Sequence, residues 1–177
     1  MSQMKEETVR KGKYAGESSV VMAQVMNPLD ANPAGNVHGG AIMKLIDTVA
    51  GAVAVRHART NVVTASIDRL DFHSPVFIGD LLTLKAGLNM VGRTSMEVGV
   101  RVETENLVTG KVRHTASAYL TMVALGPDGR PKEIVPLILE TDEQVRRNRE
   151  AEARRRMRLE ERQKEKACQE NHEKCEF

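Results

Sequence analysis

Asp47 is the side chain best placed for chemistry. It lies in the run AIMKLIDTVAGAVAVRH, where almost every neighbour is apolar or small. Burying a carboxylate there is costly unless it is hydrogen-bonded or reaches a wet cleft. Two readings follow. Asp47 belongs to a narrow polar stripe with Lys44 and Thr48, or it is an acid held at a cleft for general-base or nucleophilic work. Just upstream stands Asn36-Val37-His38-Gly39-Gly40. A helix starting there presents unpaired amides and a positive dipole end. Its glycines let a substrate come close to the backbone, and such amides polarise a carbonyl or hold an oxyanion. His38 is either a base of suitable pKa or a brace for the loop.

Other chemistries lack their residues. There is no G-x-S-x-G elbow, and both cysteines, Cys168 and Cys175, lie at the far end of the chain. On a continuous helix those two would stand about 10 Å apart along the axis, too far for a disulfide, so a reduced cytoplasmic protein is expected. His57, His73 and His114 match no metal-site spacing. No phosphate-binding or dinucleotide fingerprint occurs. The 177 residues are 41% hydrophobic but only 3% aromatic, too few rings for a base-stacking surface. A net charge of +2 gives no strong polyanion field, so no nucleic-acid partner is expected. No stretch approaches the roughly 18–20 apolar residues of a membrane span, and Met1–Lys13 lacks an apolar signal core.

The elements that must position these residues follow from periodicity. Residues 39–57 read as a helix that is apolar nearly all round and therefore buried on all sides. Segment 18–26 is apolar enough for a strand. Segments 62–73, 81–91, 95–103 and 114–125 are four more, with Leu82, Leu84, Ala86, Leu88 and Met90 on one face of their strand. Period-two alternation means a sheet with one covered face. Gly87 and Gly99 fall mid-strand, where a sheet can curl. The order β-α-β-β-β-β with one apolar helix implies an α+β fold, a curled antiparallel sheet wrapped around one long central helix. That is the hot-dog arrangement. Residues 142–177 differ: they hold 11 Lys/Arg and 10 Asp/Glu among 36 residues, against 15 and 14 in the preceding 141. Thr141 is the N-cap of a charged C-terminal helix over 142–166, supported by Glu143–Arg147, Glu150–Arg154, Glu152–Arg156 and Glu160–Lys164 pairs. Its apolar stripe (Val145, Met157, Leu159) is thin, so Arg154-Arg155-Arg156 reads as a solvated face. The expected division is a flexible N-terminal extension (1–15), a hot-dog domain (16–140) and the charged helix and tail (141–177).

Three runs, DANPAGNVHGGAIMKLIDTVAGAVAVRHA, NVVTASIDRLDFHSPVFIGD and GRTSMEVGVRVE, carry a resemblance. Over roughly residues 18–140 the chain resembles the cytosolic acyl-CoA hydrolases of the hot-dog superfamily. The resemblance implies a thioester hydrolase with Asn36 and Asp47 as the catalytic pair, one from each protomer of a dimer. It implies a homo-oligomer, a trimer of dimers. On that reading the thioester carbonyl points at the helix amides, with Gly40 N–H as donor. Asp47 activates water or attacks the carbonyl itself, and Asn36 orients the water or the carbonyl oxygen. Thiolate leaves readily, so neither a metal nor a redox cofactor is required. Candidate contacts to the coenzyme A phosphates are Arg93, Thr94 and Ser95 in a β-turn and Arg56 and His57 at the helix end. Ser66, Asp68 and Phe72 are expected to line or flank the acyl channel. The rival readings are a non-catalytic acyl-CoA sensor, which retention of Asp47 and Asn36 opposes, and an enoyl-CoA hydratase or dehydratase using His38.

Overall fold

The computed structural model describes residues 12–170. β1 (Lys13–Tyr14) and the one-turn α1 (Ala15–Ser18) lead into β2 (Val20–Val25). A loop with a 3-10 turn at Pro28–Asp30 precedes α2 (Gly39–Ala58). Then come β3 (Asn61–Phe72), β4 (Leu81–Val91), β5 (Ser95–Asn106), β6 (Lys111–Leu125), the short β7 (Leu137–Ile138) and α3 (Asp142–Glu170). β2 to β6 form one antiparallel sheet in the order β2-β4-β5-β6-β3, as the α+β reading expects. β1 pairs with β7 in parallel, so Lys13 and Tyr14 are ordered structure. The rest of the expected N-terminal extension, 1–11, lies outside the described residues.

α2 starts because His38 adopts extended backbone and its Nδ1 accepts the Gly40 amide at 2.9 Å. It stops where Arg59 takes φ 52°, the left-handed cap conformation, and donates its amide to Val55. Ile42, Ile46, Val49, Ala50, Val53 and Ala54 pack against the inner face of the sheet, onto Leu82, Leu84, Val98, Val100, Leu120 and Met122. Each large aliphatic side chain so buried contributes roughly 1.5–3 kcal/mol. The expectation that α2 is buried all round is corrected. Met43, Lys44, Asp47, Thr48, Val55 and Arg56 are exposed on its opposite side.

Strand irregularities correct two further expectations. Along β4 the register shifts between Leu88 and Met90, so Met90 pairs with Glu97 rather than with an inward residue. Met90 is therefore buried on the outer face of the sheet, away from the core cluster of Leu82, Leu84 and Leu88. In β3 the register shifts twice, between Thr64 and Ser66 and between Ile67 and Arg69.

α3 covers part of that outer face. Its Ala151 is fully buried, and Arg154, with its side chain 17% exposed, pairs with Glu97, itself 1% exposed. The Arg154 guanidinium also lies 3.8 Å over the Tyr119 ring. Asn148 donates to the Asn89 carbonyl, and Asn89 donates to Glu97. The solvated-face reading of the arginine run is thus wrong for Arg154: it bonds Glu97, and no hydrogen bond to Glu150 forms. Glu150 instead takes Arg146, while the expected Glu143–Arg147 pair is present. Cys168 is disulfide-bonded, contrary to the expected free thiol, and Cys175 lies outside the described residues.

Candidate functional site

The loop before α2 folds on its own side chains. Asn32 Oδ1 accepts the amides of Ala34 at 2.9 Å and Asn36 at 3.2 Å, an Asx-type turn that suits the sequence NPAGN. Asn36 also bridges to Phe77, which ties the loop to the segment after β3. The result is an open cleft of about 400 Å³ lined by Asn32, Asn36, Gly39, Ile42, Phe72 and His73, among others. Phe72 closes over the start of α2: a Cβ on Gly39 would sit 3.6 Å from the Phe72 ring. Asn36, Phe72 and the first helical glycine are therefore brought together.

At this helix start His38 is the N-cap, its Nδ1 accepting the Gly40 amide, which is the arrangement the brace reading of it expects. The Gly40 amide is in turn spent on that cap. Gly39, the first helical residue, is the one that lines the cleft.

Asp47 lies two turns further along α2 and does not line this cleft. It shares an exposed stripe with Lys44 and Thr48, as the first reading of it held. What distinguishes it is Thr64, whose hydroxyl donates to Asp47 Oδ1 at 2.5 Å. One carboxylate oxygen is thereby fixed and the other left open to solvent. Thr64 went unremarked in the sequence. Its signal was a polar residue at the inward period of β3, two positions after Val62.

The residues expected to contact substrate scatter. Ser66 and Asp68 do not face α2. The insertion of Ala65 in β3 turns Ser66 outward beside Thr121, and Asp68 is itself an inserted residue. Asp68 accepts from Ser66 at 2.7 Å, from Thr121 at 2.9 Å and from Arg158 of α3. Ser66, Asp68, Thr94 and Ser95 line one outer groove of about 710 Å³ together with Arg154, Arg155 and Arg158. Arg93 is exposed, 3.8 Å from Glu133. Arg56 and His57 sit at the far end of α2. Arg56 donates to the Ser19 carbonyl. His57 is 1% exposed and bonds the Ser18 hydroxyl and the Val135 carbonyl. Burial pushes its pKa down, partly offset by Val135. His57 is a core histidine with both ring nitrogens bonded inside the chain. The fold does bring His73 and His114 together, ring centroids 4.8 Å apart, but no group of three metal-ligating side chains occurs among the described residues.

Residues 34–111 match the model of the thioesterase superfamily. A Bacillus subtilis protein named as an uncharacterized acyl-CoA thioester hydrolase is 38% identical over 133 residues, covering 75% of this chain and 77% of its own length. The cytosolic acyl coenzyme A thioester hydrolase of Mus musculus is 36% identical over 140 residues, 78% of this chain but 36% of the mouse protein. Among solved structures, an apo-hexameric acyl-CoA thioesterase superposes with a TM-score of 0.81 at 38% identity, covering 84% of this chain and 96% of that one. An acyl-CoA hydrolase from Staphylococcus aureus, in complex with butyryl coenzyme A and coenzyme A, gives 0.83 at 33% identity, covering 92% and 99%. Structures also exist of that hydrolase with Ala replacing an Asn, an Asp 15 residues later, and a Thr a further 17 residues on.

Proposed function

The chain belongs to the acyl-CoA thioester hydrolases of the hot-dog thioesterase superfamily, and we propose that it hydrolyses acyl-CoA to a free fatty acid and coenzyme A, with Asp47 as the acting acid. The observation that carries this reading is the Thr64 hydroxyl aimed at the Asp47 carboxylate. It orients a carboxylate on a rigid helix and leaves one oxygen for chemistry.

As general base, Asp47 takes a proton from water while the oxygen adds to the thioester carbonyl. The tetrahedral adduct then expels coenzyme A thiolate, which recovers the proton. As nucleophile, Asp47 forms a mixed anhydride with loss of thiolate, and water cleaves the anhydride. Both routes use an oxyanion donor, and Gly39 N–H takes the role first given to Gly40. Neither route uses a resident metal or redox group.

The asparagine of the pair is better assigned to Asn32 than to Asn36. Asn32, Asp47 and Thr64 repeat the 15- and 17-residue spacings of the substituted Asn, Asp and Thr of the Staphylococcus aureus hydrolase. Asn36 lines the same cleft and shapes it through its backbone. Because that cleft and Asp47 are separate on one chain, a site built from one protomer's Asp47 and its partner's Asn32 fits the geometry. The open face supports a partner: Met43, one turn before Asp47, is 40% exposed. The hexameric relatives support a homo-oligomer, and a trimer of dimers is the arrangement we propose for it. The cytosolic relatives support a cytoplasmic location, and no helix among the described residues is long and apolar enough to cross a membrane.

The test is thiol release across a panel of acyl-CoAs. Asp47→Ala is expected to lower kcat by about 10²–10⁴-fold, the range for losing an acid–base group, with an unchanged melting curve. Full turnover in Asp47→Ala would overturn the assignment. Binding with no thiol release from the unmodified chain would make it a sensor, and an enoyl absorbance change without thiol would make it a hydratase.

A further inference from the structure

β3 is an edge strand, hydrogen-bonded within the sheet to β6 alone. It holds Thr64 against Asp47, yet its register carries two inserted residues close by. Ala65 is extra between the Thr64–Met122 and Ser66–Thr121 pairs, and Asp68 is extra between Ile67–Leu120 and Arg69–Tyr119. A one-residue shift in a strand turns every side chain to the other face. Where the extra residue sits therefore decides which side chains of β3 look at α2.

The second insertion is marked by a charge. Asp68, its side chain 8% exposed, is gripped on the outer face by Ser66, Thr121 and Arg158. Arg158 comes from α3, 90 residues later, and its own side chain is 16% exposed. A carboxylate so enclosed and so bonded does not exchange places with Ile67 or Arg69, since the move would bury an unpaired charge or strand the guanidinium. The clamp thus fixes the phase of the strand four residues from Thr64.

We propose that Arg158 is a positioning residue for thioester hydrolysis: by holding Asp68 on the outer face, α3 keeps Thr64 bonded to Asp47 on the inner face. The inference rests on the reading of Asp47 as the acting acid. In the full chain, Arg158→Ala lowers kcat by about 10–100-fold with KM unchanged, the scale of a small misplacement of a reacting group. Arg158→Lys, which keeps the charge without the planar fork, recovers part of the loss. In a Thr64→Val background Arg158→Ala costs nothing further, because the effect passes through Thr64. Losses that multiply instead would overturn the proposal. A second measurement needs no turnover. Amide exchange at residues 64–69 speeds up in Arg158→Ala and Arg158→Lys while β4 keeps its protection, and unchanged exchange at 64–69 would equally sink the idea. If the unmodified chain releases no thiol from any acyl-CoA, the functional reading falls and the exchange experiment still decides the positioning claim.

Discussion

α2 and α3 cover the two faces of one sheet by opposite means. α2 buries an aliphatic stripe and leaves its one important polar residue, Asp47, on an exposed side, bonded to Thr64 of the edge strand β3. α3 turns three polar residues, Asn148, Arg154 and Arg158, onto the sheet and leaves its larger apolar ones, Met157 and Leu159, about half exposed. Its seam consists of Arg154 on Glu97, Arg158 on Asp68 and Asn148 on the Asn89 carbonyl. Apolar packing is tolerant of direction, whereas charge-assisted bonds demand one partner at one angle. The inner helix therefore supplies the bulk of the stability, and the outer helix supplies register.

That contrast is breakable. Glu97→Ala, which leaves Arg154 enclosed without its carboxylate, is expected to cost about 3–5 kcal/mol in urea unfolding. A loss under about 1 kcal/mol, the level of an exposed pair, would show the outer seam to be solvated. A smaller effect belongs to the inner side. His57 is held neutral, its pKa lowered chiefly by burial. The folded form thus binds a proton less readily than the unfolded chain. Stability is full above the unfolded value of about 6.5 and declines as pH falls from there toward the lower folded pKa. Melting temperature should fall on acidification through that window, and more shallowly in His57→Gln. Equal slopes would remove His57 from the account. The smallest effect is expected at Arg146. Its bond to Glu143, together with that of Arg147, holds the Glu143 carboxyl down to about 2, yet Arg146, Glu143 and Glu150 are all solvent-facing. Arg146→Ala should leave both the unfolding midpoint and thiol release unchanged.

Much of this was legible in the residues. Alternation in β5 and β6, and in β4 as far as Leu88, reports a one-sided sheet because each residue's facing is set by its neighbours in sequence. The acid in α2 stands out because its surroundings are apolar. Facing in β3 was not legible. Ser66 and Asp68 sit at the period of Thr64 and Phe72, and only the pairing with β6 reveals that two insertions take them out of phase. The burial of Arg154 was hidden for a related reason. Its local partner Glu150 is four residues away, while the partner it takes, Glu97, is 57 residues away. Residue type alone does not separate Asn32 from Asn36, which stands nearer His-Gly-Gly; the mark of Asn32 in the sequence is the Asx turn of NPAGN.

The charged seam also bears on the order in which the chain is made. α3 is synthesised after the sheet it covers, and its contacts come from β3, β4, β5 and β6, which must already be paired before Glu97, Asp68 and Asn89 stand in the right places. Domains form N-terminus first during translation, and uncovered apolar surface at that stage invites aggregation. The face that waits for α3 shows water carboxylates, an amide and the hydroxyl-bearing Tyr119, with Met90 as its buried apolar side chain. A nascent sheet can stand half-covered without becoming adhesive, and α3, made after it, closes it by finding two acids.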